Sequence, residues 1–376
     1  MPTGTATAYD LTAGQMLDFD DMIYLLDPFD TPISGGVGAE GGPIIGTTQC
    51  FETLVQHLDE TLLTPSAVTS ATYTAGETTI SFSVANSLKF SVGDVFRIEA
   101  ELMRITATNY TTGVHTVSTG FASTSNATHA SGTLAVGVGR ALPEGSDPGP
   151  GRYVDRTPRS NYTEIFGPEE VKLSGTEQVV RKYGLNSMTE MDRQIGHRVR
   201  DTFGIPWETT LLYGKQTNDT TNKIRTMDGL ISVISTNVDA TASSITDTII
   251  LTQMQNVFDQ GGGGPDMRLV LGSKQARVMS AFTNGTIFTQ RGDRGRGVIV
   301  DFFDTDFGRV TKVLDRWCRL QDAFCFRPSN VEAAILRPLT MKRLGDTGDS
   351  DKVMLVMEKS VRIKGERHMF RCSALT

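Results

Sequence analysis

The chain has 376 residues, 38% hydrophobic content and a net charge of -7, which is enough for two or three soluble domains. The acidic balance argues against a dedicated nucleic-acid-binding protein, since such proteins carry extensive basic surfaces. No apolar run reaches the roughly 18 residues of a membrane span, and the N-terminus lacks the features of a signal peptide. The four cysteines form no CxxC pair and are expected to be reduced.

Residues 1–34 have little periodicity, and Pro28 and Pro32 favour extended chain, so this segment is predicted to be an arm. The next segment, 35–46, is rich in glycine and formally contains a GxGxxG pattern. Because no strand leads into it, the pattern favours a flexible hinge over a dinucleotide-binding loop. The candidate hinge residues are Gly35, Gly36, Gly38 and Gly41.

Residues 47–63 are predicted to form an extended strand or a short helix, and they contain Cys50, His57, Asp59 and Glu60. These residue types can bind a metal ion, but one cysteine and one histidine lack a second clear ligand pair. A half-exposed structural segment is therefore favoured over a metal site. No metal or cofactor is predicted for the chain.

Between residues 64 and 138 the composition changes to Thr, Ser, Ala and Gly, and short alternating runs replace helical ones. Turn signals separate these runs at the spacing typical of a small barrel or sandwich. We interpret this region as an all-β module inserted into another fold. The predicted strands are TTISFSV, DVFRI, LMRIT and HTVST.

A Pro/Gly-rich connection at 143–158 precedes a predicted long returning strand at 163–180, broken at Gly167-Pro168. The segments that flank the module are expected to pair as the two legs of one long β-hairpin.

Residues 187–213 are predicted to form one long, mostly exposed helix of about 40 Å, which would act as a strut. Ser187 and Glu190 have the spacing of a capping box. Arg200 lies off the apolar stripe, and Pro206 is expected to kink the helix or to begin a second segment. The stripe consists of Met188, Met191, Ile195, Val199 and Phe203.

The following region alternates helix and strand, which is typical of an α/β or α+β domain. An amphipathic helix is predicted at 244–259, a buried strand at 267–272, and then a helix capped by Ser273. The glycine run at 261–264 lacks the Lys-[Ser/Thr] of a phosphate-binding loop, so it is interpreted as a helix stop.

Arg291, Arg294 and Arg296 stand among glycines in a predicted mobile loop, and we expect them to meet acidic neighbours at an oligomer interface. A strand pair is predicted at 298–303 and 309–314. The C-terminal part is predicted to be a succession of strands with alternate residues on a core face.

The order of arm, extended loop, capped strut helix, compact α/β domain and closing strands resembles the major capsid proteins of tailed bacteriophages, which have the Hong Kong ninety-seven-like fold. Local sequences are similar to that family as well: DPFDTPIS, MTEMDRQIGHRVRDTFGIPWETTLLYGK, RTMDGLI and LRPLTMKRLGDTGDSDKVMLVMEKSVRIKGE. The run VGDVFRIEAELMRITAT resembles the insertion found in the extended loop of one branch, that of podoviruses with elongated heads.

The resemblance implies an α+β fold with six parts. They are an N-terminal arm at 1–34, an extended loop with flanking strands at 35–63 and 139–180, an inserted β-rich module at 64–138, the spine helix of a peripheral domain at 181–221, an axial α/β domain at 222–313, and C-terminal strands of the peripheral domain at 314–376.

It also implies a structural protein that is not an enzyme and that self-assembles into an icosahedral or elongated head shell around double-stranded DNA. Such a protein is located in the virion, and in the host cytoplasm during assembly. The implied partners are its own copies in hexamers and pentamers, a portal protein at one vertex, scaffolding and cement proteins, and packaged DNA held non-specifically. The extended loop of one subunit is expected to lie over the strut helix of its neighbour.

Two alternatives remain open at this point. The first is an encapsulin-like nanocompartment shell, which would share the fold and enclose an enzyme. The second is an enzyme that uses the Gly36 loop or a Cys50/His57 site, although no Ser/His/Asp or Cys/His pairing has a supporting motif.

Overall fold

The computed structural model describes residues 31–35, 43–60, 65–146, 156–180, 189–241, 243–264, 266–281, 302–345 and 348–376. The chain divides into two compact units, an insert formed by Leu58–Pro158 and a body formed by Met1–His57 with Arg159–Thr376. No helix among the described residues combines the length and apolar character needed to cross a bilayer.

The insert is built on one six-stranded sheet in which every pairing of neighbouring strands is antiparallel. In sheet order the strands are Ser66–Val68, Leu134–Arg140, Asp94–Ile98, Glu101–Asn109, Val114–Ser118 and Thr79–Ser81. A short helix, Val84–Ser87, begins after Ser83, whose side chain accepts from the amide of Asn86. The core is aromatic and aliphatic, with Tyr73, Phe82, Phe90, Phe96, Ile98 and Met103 fully or almost fully buried.

The body contains a four-stranded sheet that collects strands from distant parts of the sequence. In sheet order the strands are Gly46–Gln49, Val331–Arg343, Ser350–Ile363 and Glu164–Ser174. Glu164–Ser174 shifts register between Phe166 and Glu169, at the predicted break. This strand pairs with Ser350–Ile363, so it is not a leg of the expected hairpin; only Leu54–Glu60 and Arg156–Tyr162 pair with each other.

The second sheet of the body has six strands and is covered on both faces. In sheet order they are Val238–Asp239, Phe370–Cys372, Ala323–Phe326, Met267–Leu271, Gly308–Leu314 and Phe302–Thr305. Along its central strand, Val270 joins one core cluster while Leu269 and Leu271 join the other, as alternation requires. Two strands, Ala323–Phe326 and Phe370–Cys372, were expected with the peripheral domain but lie in this sheet, because alternation along a strand does not reveal its partner.

The remaining elements of the body are helices, short turns and one small hairpin. Apart from the long helical element at residues 190–213, the α-helices are Gly175–Val179, Leu230–Val233, Asp247–Asp259 and Ser273–Ser280. The hairpin pairs Thr217–Asp219 with Ile224–Thr226. Asp247–Asp259 begins after Thr246, whose hydroxyl accepts from the amide of Ile249. Ser273 was predicted to be the N-cap of the next helix, but it is the first helical residue, and the N-cap is Gly272.

The predicted strut is confirmed as a continuous helical element over residues 190–213, called the spine helix below; it is about 36 Å long. Its cap is Thr189 and not Ser187, which lies outside the described residues: the Thr189 hydroxyl accepts from the amide of Asp192 and donates to its carboxylate. Thr189 and Asp192 have the same i, i+3 spacing as the predicted pair, displaced by two residues.

A π-helical segment, Val199–Gly204, precedes a second α-helical segment, Ile205–Tyr213, and the amide of Ile205 donates to the carbonyl of Arg200. Pro206 lies in the first turn of this second segment and Gly214 is its C-cap, which confirms the prediction that Pro206 begins a second segment. The π turn changes the helix face, so Arg200 is buried although its position predicted exposure. The C-terminal half is not exposed either, since Phe203, Trp207, Leu211 and Leu212 are core residues.

Candidate assembly surfaces

A surface groove of about 670 Å³ lies at the start of the spine helix, in the body. Four elements contribute to its lining: the helix after Glu164–Ser174, the first turns of the spine helix, and the two strands Val331–Arg343 and Ser350–Ile363. The lining residues are Gln178, Val180, Thr189, Glu190, Met191, Asp192, Ile195, Met341, Arg343, Asp351 and Val353.

Ion pairs hold the rim of the groove in place. Arg193 contacts both carboxylate oxygens of Glu190 through Nη2 and Nε, at 2.6 and 3.1 Å. Arg343 contacts Asp351 across the two strands in the same bidentate way, at 2.6 and 3.2 Å. Bidentate pairs fix the orientation of both side chains, so the rim is preformed. With Asp192 added, the rim is predominantly acidic.

The floor and surroundings of the groove include apolar side chains that are exposed within the described part of the chain. Val179 is 82% exposed and Met341 is 64% exposed, values that are unusual for large apolar side chains. Val180 and Leu339 are also exposed close by in the sequence. A preformed groove beside contiguous exposed apolar residues is typical of a protein–protein interaction site.

A second feature is an anchor that holds the chain after the arm on the spine helix. Glu208 is fully buried, and its two oxygens accept from the amides of Ile33 and Ser34 at 2.9 and 3.0 Å. Ile33 is itself fully buried in the core. Burial raises the pKa of Glu208 to about 7, with a further upward contribution from Asp315 and opposing contributions from the two amides.

Gly35 closes the turn that this anchor holds. Its amide donates to the carbonyl of Thr31, its φ is +77°, and a Cβ there would come within 2.5 Å of Pro43. Both the left-handed backbone and the close approach require glycine. The other candidate hinge residues, Gly36, Gly38 and Gly41, lie outside the described residues, as do Arg291, Arg294 and Arg296.

Glu358 is a buried junction between elements far apart in the sequence. Its carboxylate accepts from Arg225 and Arg337, each at 2.9 Å, and from the hydroxyl of Thr163 at 2.8 Å. These contacts join the small hairpin, the four-stranded sheet and the turn before Glu164. A buried carboxylate with several charge-assisted partners fixes their relative position.

Cys50 and His57 occupy different surroundings. Cys50 packs with Val55 and Ala334, and burial raises the pKa of its thiol, so the thiolate needed of a nucleophile is disfavoured. His57 lines a small polar cavity with Arg159, Asn161 and Asp228. Among the described residues, no cluster of three or more His, Cys, Asp or Glu has an arrangement that could hold a metal ion.

Sequence reasoning missed Glu208, Glu358 and the groove. A signal for Glu208 exists, because it is a lone acid between Trp207 and the apolar pair Leu211 and Leu212 on the core-facing side of the spine helix. Glu358 and the groove depend on pairings between distant strands, which no local pattern reports.

Known proteins resemble this chain in sequence and in fold. The family described as SU10 major capsid protein matches residues 1–376. No curated protein matches the chain. The capsid of a native GTA particle has a TM-score of 0.52 at 7% identity, over 98% of each chain, which shows the fold alone.

Two further solved structures match the chain with lower TM-scores. The one from Microbacterium phage Oxtober96 has a TM-score of 0.48 at 12% identity, over 95% of this chain and 93% of that one. The holo-SrpI encapsulin complex from Synechococcus elongatus PCC 7942 has a TM-score of 0.40 at 11% identity, over 59% and 78% of the two chains. The Hong Kong ninety-seven-like fold is confirmed, and with a family match over its entire length the chain belongs to the SU10 major capsid proteins.

Proposed function

We propose that this chain is the repeating subunit of a tailed-phage head shell around double-stranded DNA, with copies meeting in hexamers and pentamers. The observation that carries this is the match to a major capsid protein family along all 376 residues. The same match favours a coat protein over an encapsulin-like compartment. The subunit performs no chemistry, and a portal, scaffolding and cement proteins, and loosely held DNA are its further partners.

The groove at the start of the spine helix is proposed to receive the extended loop of a neighbouring subunit. Exposed Val179 and Met341 supply apolar area, and the fixed ion pairs of the rim supply orientation. Many modest interfaces per subunit add up across a shell, so each contact can be weak by itself. The glycines at 35–41 are proposed to let one sequence occupy non-equivalent positions, with Gly35 as the fixed end of that hinge.

Arg291, Arg294 and Arg296 are proposed to contact acidic neighbours where subunits close around a symmetry axis. Neutralising all three should disturb closure of hexamers and pentamers and leave subunit folding unchanged. Sedimentation of the assembled species, beside circular dichroism of the subunit, separates these effects. A normal yield of particles from the triple variant would contradict this role.

The function is tested by electron microscopy of the purified chain, alone and with its packaging partners. We expect closed shells, and nuclease-protected DNA of genome length in particles from infected cells. Protected protein cargo without DNA would instead support the compartment. A compact monomer that never assembles would overturn both proposals.

The role of the groove is tested with Ile195→Glu, which places a charge in its apolar floor. Thr209→Glu is the matched control, because this residue lies on the same helix outside the groove. We expect Ile195→Glu to abolish particles while the subunit keeps its circular dichroism spectrum, and Thr209→Glu to assemble. Equal assembly of both variants would exclude the groove as a contact.

A further inference from the structure

The insert carries an apolar stripe on the solvent-facing side of its sheet. Leu134, Val136 and Val138 alternate along one strand and are 52%, 43% and 63% exposed. Val68 pairs directly with Leu134 and is exposed as well. These four residues, called the outer stripe, form a continuous aliphatic surface on the side opposite the aromatic core. Contiguous exposed apolar residues of this kind mark interaction sites.

Arginines border the outer stripe on one side. Arg97 lies directly opposite Val136 in the neighbouring strand and donates to the carbonyl of Glu99. Arg104, one strand further, reaches the carbonyl of Ala141. Both guanidinium groups contact neutral oxygens, and in the described part of the insert no carboxylate forms an ion pair with either. Glu99 turns its own carboxylate towards His129, at 3.2 Å. The stripe therefore suits an apolar ligand that is also acidic.

One segment of this same chain has that composition. Residues 16–30, MLDFDDMIYLLDPFD, contain nine apolar or aromatic residues and five aspartates, and the first Lys or Arg of the chain is Lys89. Each of the five aspartates is next to an apolar or aromatic residue in the sequence, so the segment can offer both kinds of contact along its length. The segment joins the body at Thr31, and its 15 residues reach at most about 50 Å when extended, more than the diameter of a small domain.

The groove of the body is a poorer match for this segment. The arginines at its rim, Arg193 and Arg343, are already paired with Glu190 and Asp351. Asp192 adds a further negative charge, so the groove offers aspartates less favourable contacts than Arg97 and Arg104 do. We propose that residues 16–30 of a neighbouring copy bind the outer stripe, with their apolar side chains on Val136 and Val138 and their aspartates on Arg97 and Arg104. This inference rests on the proposed function, because it needs copies held side by side in a shell.

The test places a photo-cross-linking residue, p-benzoylphenylalanine, at Val136 in the full-length chain. Particles are assembled from equal parts of ¹⁵N-labelled and unlabelled protein, irradiated and digested for mass spectrometry. The matched control carries the same residue at Thr112, which is exposed on a turn two strands away from the stripe. We expect the residue at position 136 to cross-link to residues 16–30, with one peptide labelled and the other unlabelled, which identifies a contact between two subunits. The residue at position 112 should give no cross-link to residues 16–30.

A charge exchange checks that the arginines contribute. Arg97→Glu with Arg104→Glu should lower the yield of the cross-link about fivefold, and Asp20→Arg with Asp21→Arg in the same chain should restore it. Rescue by the second pair separates a lost contact from a damaged insert.

Several outcomes would overturn the inference. The first is a cross-link from position 136 to residues 61–64, to another insert or to the body instead of to residues 16–30. The others are cross-links only between peptides of the same label, no cross-link in well-formed particles, and no recovery of the cross-link in the charge exchange. In each of these cases particles still form, so the proposed function stands. If the unmodified chain forms no particles, the proposed function fails, and this inference fails with it.

Discussion

The insert and the body differ in how far along the sequence their buried carboxylates find hydrogen-bond partners. In the insert, Glu101 is buried and accepts from the amides of Gly120 and Ala127, both within 26 residues, so it organises one nearby loop. In the body, Glu208 accepts from an amide 175 residues away, and Glu358 accepts from a hydroxyl 195 residues away. The insert is thus a local structure that can form by itself in a short stretch of chain. The body requires most of the chain before its polar groups are satisfied.

Independent folding of the insert and the body is tested by unfolding one unit and measuring the stability of the other. Phe96→Ala removes a fully buried ring from the centre of the insert and should cost about 3–5 kcal/mol in its free energy of unfolding. Hydrogen-exchange mass spectrometry should then show loss of protection in the insert alone. The exposed Val68→Ala is the control and should change little. Loss of protection across the body would mean that the units are not independent.

Glu358→Gln tests the long-range junction of the body. It removes the charge that Arg225 and Arg337 share, and we expect a loss of about 2–3 kcal/mol. Both tryptophans, Trp207 and Trp317, lie in the body, so their fluorescence during urea unfolding reports this unit.

Glu332→Gln is the matched control for that substitution, because the pairs that Glu332 forms with Lys364 and Arg362 are partly exposed. It should cost less than about 1 kcal/mol. Equal losses from the two variants would show that burial of Glu358 does not set its contribution.

Glu208 gives the body a pH dependence of known sign. Its folded pKa is about 7, above the unfolded value of 4.5, so it favours the folded state most below pH 4.5. That contribution is lost as the pH rises through about 7, on the order of 1–3 kcal/mol. Fluorescence-monitored urea unfolding from pH 5 to 8 should show the decline, and Glu208→Gln should remove it. A decline that persists in the variant must come from another group.

His115 should give the insert the opposite pH dependence. It is fully buried among Phe82, Phe90 and Tyr110, and burial lowers its pKa below 6.5. The unfolded chain therefore binds a proton that the folded insert does not. The free energy of unfolding falls as the pH drops below about 6.5, by about 1 kcal/mol over the first pH unit. Pulsed exchange labelling in urea at pH 7 and pH 5.5 measures this. His115→Phe should make the insert insensitive to this change.

The elements that could be predicted are those whose signal is local. Alternation located Asp94–Ile98 and the apolar face of Ser350–Ile363, and periodicity located the spine helix. The features that could not be predicted depend on tertiary context. Arg200 is buried because a π turn shifts the helix face, and Glu164–Ser174 pairs with a strand nearly 200 residues later. The groove combines two helices with two strands from the C-terminal part of the chain, so only Met191 and Ile195 among its lining residues were in the predicted apolar stripe.

The hydrogen-bonded strands Leu54–Glu60 and Arg156–Tyr162 have a practical consequence. Because the polypeptide leaves the body along one strand and returns along its neighbour, the 95 residues between the two strands could be exchanged as one segment. A foreign domain whose own ends lie side by side could be grafted there without changing the spacing of the two flanking strands. Shells built from such chimaeras would display one guest molecule for every subunit.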